Sequence, residues 1–359
     1  MSPTAQPDEL AFTTLNSTSD PSADNANARK ANSASEKLRE EELTTILAVN
    51  ITYPGWWPKK KNEENEDDKD KKPVKSLEVN SAKNDLGIQM DRHNYTQDGK
   101  QMFFICADHE HGYTESKNTR IRKASKRDIL DGLLEAVKIG RSVVFYYSGH
   151  CGPSGRGNSR VILKDGRWEY EEDEAEGAGP PYLLSSEAER IYGEEIEEVL
   201  SKGLEQNGGR KVTIMLVFDT CHVATFFDHV FEFSSIYRAK EIGGLKEKVP
   251  GEPRLGENQL IFIAATEFNQ EAGTFKKEAN SKEQNGAMTK VMAEFLTGNG
   301  PNLPSIVCKV NLPTWLLADD KVPKTVEGLV ERLYRFCKKR QAPQVRSLLP
   351  KPDLKLLLA

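Results

Sequence analysis

The chain has 359 residues, 37% of them hydrophobic and 29% charged, with a formal net charge of −5. That length can fill one large domain or two small ones, and the low apolar share predicts that part of the chain stays unfolded. The mildly acidic, mixed-sign balance leaves no nucleic-acid footprint. No apolar run approaches the ~20 residues of a membrane span. The N-terminus lacks a basic stretch followed by an apolar one, which argues against a secretory signal. The five cysteines, Cys106, Cys151, Cys221, Cys308 and Cys337, are odd in number, widely spaced and never in a CxxC pair. They predict free thiols in a reducing compartment, the cytoplasm or else the nucleus, and no thiolate zinc site.

Residues 1–41 are rich in Ser, Asn, Ala, Asp and Thr without periodicity and predict a disordered leader. TTILAVNITY (44–53) is an apolar, β-branched run and predicts a buried strand. The nearly pure charge of 58–75 predicts a solvated loop. MFFICAD (102–108) predicts a second strand. His109 and His111 flank Glu110 with no third ligand in view and read as surface residues. Over 125–137 the apolar positions Ile129, Leu130, Leu133, Leu134 and Val137 mark a helix, with Ser125 and Asp128 as a capping start. RSVVFYYSGH (141–150) predicts a third strand. The acidic stretch 164–182 reads as an exposed loop. A helix over 194–204 buries Ile196, Val199, Leu200 and Leu204. VTIMLVFDT (212–220) and QLIFIAAT (259–266) predict the fourth and fifth strands. The polar, Gly- and Pro-bearing segment 238–258 between them predicts a mobile surface loop. Helices over 285–296 and 325–337 and a last strand over 344–349 complete the pattern.

Strands that are apolar throughout, separated by amphipathic helices, imply a mostly parallel sheet of about six strands covered on both faces. Sites in such sheets gather at the carboxyl ends of strands. Here one strand ends on Ser148-Gly149-His150 and another on Asp219-Thr220-Cys221. A thiol at a strand-to-helix turn is exposed although its strand is buried, and the N–H groups and dipole of a following helix would favour its thiolate. An imidazole on a neighbouring strand end could pair with that thiolate and protonate a leaving amine.

These residues also carry a resemblance. FYYSGHC is similar to the FYYSGHG segment of metacaspases and related caspase-like cysteine peptidases, and VFDTCHVA resembles their DSCHSG or DSCHSA segment. ILAVNITYPG, ASKRDILDGL, IYGEEIEEVL, IFIAATEFNQEA and QAPQV resemble flanking family segments in the same order, so the likeness spans roughly residues 42–350. The resemblance implies a caspase-like three-layer α/β sandwich: a larger part at 42–237, a linker at 238–258, a smaller part at 259–350, and a tail at 351–359. It implies a cysteine endopeptidase acting on protein or peptide substrates, with Cys221 as nucleophile and His150 as general base and acid. The oxyanion donors would be the backbone N–H groups of Cys151 and Cys221. Asp219 would line a pocket for Arg or Lys. The linker is where such chains cut themselves. His222 matches the family motif without being its base.

The chain departs from the family pattern in several places. Cys151 replaces a glycine, so a side chain is expected to narrow the approach to the oxyanion donors. Ser81, in EVNSAKND, stands where the family has a second pocket acid, so one pocket charge is expected to be lost. Val223-Ala224 follows the second histidine in place of Ser-Gly or Ser-Ala. His150 and Cys221 lie 71 positions apart, longer than the ~50 of caspases, and the excess falls in 164–182. By the same resemblance Asp165, Glu194, Glu195 and Asp228 would bind calcium. The departures motivate the runner-up, a catalytically weak caspase-like scaffold or regulator.

Overall fold

The computed structural model describes residues 43–54, 79–93, 95, 101–152, 159–164, 167–172, 180–238, 255, 258–266, 272, 274–276, 284–289, 330, 334 and 342–348. All of them lie in one compact unit, Glu42–Ala359. The leader 1–41, the charge run 58–75, most of the linker 238–258 and the tail 351–359 lie outside the described residues. So do most of the helices expected at 285–296 and 325–337: of these, 285 and 286 end a strand, and 287–289, 330 and 334 are helical.

In chain order, β1 (Thr44–Asn50) leads to helix α1 (Asn80–Arg92), then β2 (Met102–Ala107) and β3 (Thr119–Arg122). Helix α2 (Lys126–Ile139), β4 (Ser142–Ser148) and the two-residue β5 (Cys151–Gly152) follow. Next come β6 (Ser159–Lys164), β7 (Arg167–Glu172), β8 (Tyr182–Leu184), β9 (Arg190–Tyr192), helix α3 (Gly193–Gln206) and β10 (Thr213–Asp219). The last strands are β11 (Ser235–Arg238), β12 (Gln259–Ala264), β13 (Thr274–Lys276), β14 (Gln284–Gly286) and β15 (Gln344–Ser347).

Eight strands form the central sheet in the order β11-β15-β12-β10-β4-β1-β2-β3. All its pairings are parallel except the two made by β15. The sheet is thus larger than the expected six strands. The two edge strands were not foreseen because each has only four residues (TRIR and SIYR), too short and too polar for a periodic signal.

Both faces are covered, as the apolar strands require. In β1, Leu47 and Val49 face α2 and α3, where Ile129, Leu133, Ile196 and Leu200 are buried. Ile46 and Ala48 face the other way, toward Leu86 and Met90 of α1 and toward Val330. The result is an α/β architecture with helices on both faces of a mostly parallel sheet, compatible with three layers. Ser125 caps α2 as expected: its hydroxyl accepts the Asp128 N–H at 3.2 Å and donates to the Asp128 carboxylate at 2.8 Å. Helix α1 escaped the sequence reading because NSAKNDLGIQMDR is polar on most of its surface and has no side-chain cap.

The acidic stretch read as a loop is partly a strand. β6 and β7 pair antiparallel from Ser159↔Glu172 to Lys164↔Arg167. The overlooked signal was Asp165-Gly166 between two β-rich runs, the strongest short-range hairpin pattern. No helix among the described residues is long and apolar enough to cross a membrane.

Candidate active site

β4 and β10 are neighbours in the middle of the sheet and run parallel in register, Val143 against Ile214 through Ser148 against Asp219. One step further, the Thr220 hydroxyl donates to the Gly149 carbonyl at 2.7 Å and carries the pairing past the strand ends. The next residues are His150 and Cys221. Both therefore emerge at the same level of the carboxyl edge, and both are half-buried. The sequence placed them on two strand ends, and the register makes those ends adjacent.

The chain after Cys221 does not enter a helix. His222 has φ 54°, a left-handed conformation unusual for a non-glycine residue, so the backbone bends sharply behind the thiol. Residues 223–231 then form successive turns, with Phe226 N–H to Val223 C=O, Asp228 to Thr225 and Val230 to Phe227, all at 3.0 Å. The expected helix dipole at the thiol is absent. Packing explains the difference. The turns drive Phe226 and Phe227 fully into an aromatic cluster around Phe218 and Phe262, with ring centroids 4.7–6.0 Å apart. The Ala272 N–H instead points at the Cys221 Sγ, 3.1 Å away, a donor that a thiolate accepts well.

Cys151 follows His150 with its side chain buried. Its thiol is 8% exposed and joins the hydrophobic core, where burial, and then the nearby Cys221, push its pKa up. The thiol thus packs inward, close to Cys221. The backbone at Cys151 belongs to the antiparallel pairing of β5 with β8, in which the Leu184 N–H donates to the His150 carbonyl at 3.1 Å. In such a ladder alternate residues turn their N–H groups away from the partner strand, and Cys151 opposite Leu183 is one of them. Its N–H is directed away from β8.

Below the edge lies a second constellation. Asp219 is 6% exposed and Asp85, from α1, is fully buried. The Ser148 hydroxyl donates to Asp85 Oδ2 and the Gly286 N–H to Asp85 Oδ1, each at 2.8 Å. The Thr289 N–H donates to Asp219 Oδ2 at 2.7 Å, while Asp219 Oδ1 is buried with no partner of normal hydrogen-bond geometry among the described residues. Both carboxylates converge on Gly286, where any Cβ would strike an oxygen of each. Burial first, and then the charge of Asp219, hold Asp85 well above the usual carboxylate range. Burial pushes Asp219 up to about 6, against the pull of the Thr289 and Met288 N–H groups.

A second carboxyl thus lies beside Asp219, although not at the position where the resemblance puts it. Ser81 is buried in the first turn of α1 and contributes no charge, but Asp85 stands four residues later on the same helical face. The signal was present in NSAKND; without the helix assignment, the i, i+4 relation could not be drawn.

The acids expected to hold calcium are otherwise engaged. Glu195 pairs with Lys126 at 2.6 Å and accepts the Tyr192 N–H at 3.0 Å. Glu194 lies 3.0 Å from His229 Nε2, and Asp228 pairs with the buried Arg346. Asp165 lies outside the described residues. Among the described residues no three acidic, histidine or cysteine side chains gather as a metal-ligating group. His109, read as a surface residue, turns its side chain inward to 8% exposure beside Asp108, at 3.4 Å.

Compared with known proteins, the chain matches no family model and no curated protein.

Proposed function

We propose that this protein is a cysteine endopeptidase of the metacaspase-like, caspase-fold type that cleaves peptide bonds after Arg or Lys. The observation that carries the proposal is the in-register placement of His150 and Cys221 one step beyond the Thr220–Gly149 bond, on adjacent parallel strands. A nucleophile and a base on neighbouring strand ends are what acyl transfer by a thiol requires.

In the proposed reaction the Cys221 thiolate attacks the scissile carbonyl carbon. The carbonyl π pair moves onto oxygen, and the Cys151 and Cys221 N–H groups receive that oxyanion. As the pair returns, the C–N bond breaks and the His150 imidazolium gives its proton to the leaving amine. A water, deprotonated by His150, then hydrolyses the thioester and restores the thiolate. The Asp85–Asp219 pair supplies the specificity. Its orphaned Asp219 Oδ1 and shared burial cost the empty protein free energy, and a guanidinium or ammonium seated there would offset that cost.

Fluorogenic peptides that differ only at the cleaved residue test the proposal. Cleavage after Arg and Lys and none after Asp or Ala is the expected result. Preference for Asp would refute the pocket, and hydrolysis of none of them would favour a scaffold or regulator without catalysis.

A further inference from the structure

We propose that Tyr53 is a positioning residue for the His150 imidazole. This inference rests on the peptidase reading, because it assigns Tyr53 a part in the reaction of the same dyad. The assignment stands on three contacts of Tyr53 and one of its neighbour Tyr147. The Tyr53 hydroxyl accepts the His150 backbone N–H at 3.0 Å. The same hydroxyl donates to the Leu184 carbonyl at 2.6 Å, tying the histidine to β8. The Tyr53 ring lies against the imidazole, with centroids 4.7 Å apart and planes inclined by 34°. On the carbonyl side of the same residue, the Tyr147 hydroxyl donates to the His150 C=O at 2.7 Å. Two tyrosines thus hold both backbone groups of the base, and one of them also fixes its ring.

The surroundings show that this arrangement is built rather than incidental. Tyr53 follows β1 with φ 52°, a left-handed conformation that a non-glycine residue keeps only where its surroundings hold it. Asp108 holds that bend: its carboxylate accepts the Thr52 N–H at 2.7 Å, the Thr52 hydroxyl at 2.9 Å and the Tyr53 N–H at 2.7 Å. Burial pushes Asp108 upward, but the bonds from His109, Thr52 and Tyr53 outweigh it and hold the carboxyl below its usual value, so it stays an anionic acceptor. Tyr53 is fully buried, and burial keeps its phenol protonated and able to donate. The two hydroxyls lie 3.2 Å apart under Gly149, where a Cβ would come within 2.8 Å of each. The one residue without a side chain is what lets them reach the histidine.

Tyr53→Phe keeps the ring and removes the hydroxyl, and with it the bonds to the His150 N–H, the Leu184 carbonyl and Tyr147. Tyr146→Phe is the matched control. It removes a buried hydroxyl from β4, next to Tyr147 but on the opposite face, where it meets His93 at 3.0 Å and not His150. In the full chain, Tyr53→Phe should lower kcat on an Arg substrate by an order of magnitude or more, with KM within about twofold, because sub-ångström misplacement of a base costs rate rather than binding. The pH profile of Cys221 alkylation by iodoacetamide should also move, since the proposed dyad pairs the thiolate with that imidazole. Tyr146→Phe should change neither readout, although it too loses thermal stability. Superimposable alkylation profiles for wild type and Tyr53→Phe, or an equal fall in kcat for both variants, would overturn the assignment. If the wild type hydrolyses nothing, the peptidase reading fails, and the alkylation profile still decides whether Tyr53 positions His150.

Discussion

Asp219→Asn should make the protein more stable at neutral pH and a poorer enzyme. The substitution keeps an acceptor for the Thr289 N–H and replaces the orphaned, buried Oδ1 with an uncharged amide nitrogen. Because the Asp219 pKa is raised in the folded protein, the native state holds its proton more tightly than the unfolded chain. For a raised acid, stability is greatest below the unfolded value of 3.8 and falls as pH climbs through about 6. The difference between 3.8 and about 6 corresponds to a native-state cost of roughly 3 kcal/mol above pH 6, which the amide does not bear. Urea unfolding of wild type and variant at pH 4 and pH 7 isolates the effect. The variant should be more stable by up to about 3 kcal/mol at pH 7, and the gap should close toward pH 4. At the same time kcat/KM on an Arg substrate should fall about tenfold to a hundredfold, the worth of one charged hydrogen-bond partner at ~1.5–3 kcal/mol. A variant less stable than wild type by the same amount at both pH values would refute the reasoning, since it would mean the carboxylate is well satisfied where it lies.

Gly149→Ala should abolish activity and lower Tm by several degrees, because its Cβ would press on the hydroxyls of Tyr53 and Tyr147 and dislodge His150; activity assays alongside thermal melts decide it, and near-normal turnover would count against the tyrosine clamp. Self-cleavage is expected after a basic residue in 238–254, where the sequence offers Arg238, Lys240, Lys246, Lys248 and Arg254. Mass spectrometry of incubated wild type and Cys221→Ala should find the cut only in the former, whereas cutting in both would trace it to a contaminating protease.

The sheet's interior was legible because its strands declare themselves. TILAV, FFIC, VVFYY, IMLVF and LIFIA are buried on both faces, and only a doubly covered parallel strand tolerates that composition. That His150 and Cys221 follow the ends of two such strands was legible for the same reason, and the register makes those ends neighbours. What could not be read lies where tertiary packing overrides local pattern. Asp85 is one polar residue of a polar helix until α1 docks on β4 and Ser148 reaches it. The turns behind Cys221 look like a helix until Phe226 and Phe227 are required in the core. Tyr53 reads as the polar end of a strand, and only the positive φ imposed by Asp108 brings its hydroxyl under the histidine. The partners of the acids expected to hold calcium are equally hidden from the sequence, among them Lys126 for Glu195 and Arg346 for Asp228.

The central claim is that Cys221 and His150 act as one nucleophilic unit beside a pocket for a basic side chain. It is tested most directly by labelling with a thiol-reactive peptide probe that carries Arg at its recognition position. Wild type, Cys221→Ala and His150→Ala, each verified as folded, are treated side by side and the labelled residue is mapped by mass spectrometry. The account predicts a single adduct on Cys221 in the wild type, none in Cys221→Ala, and labelling slowed at least tenfold in His150→Ala. Labelling of Cys221→Ala at the wild-type rate, or labelling indifferent to the loss of His150, would contradict it.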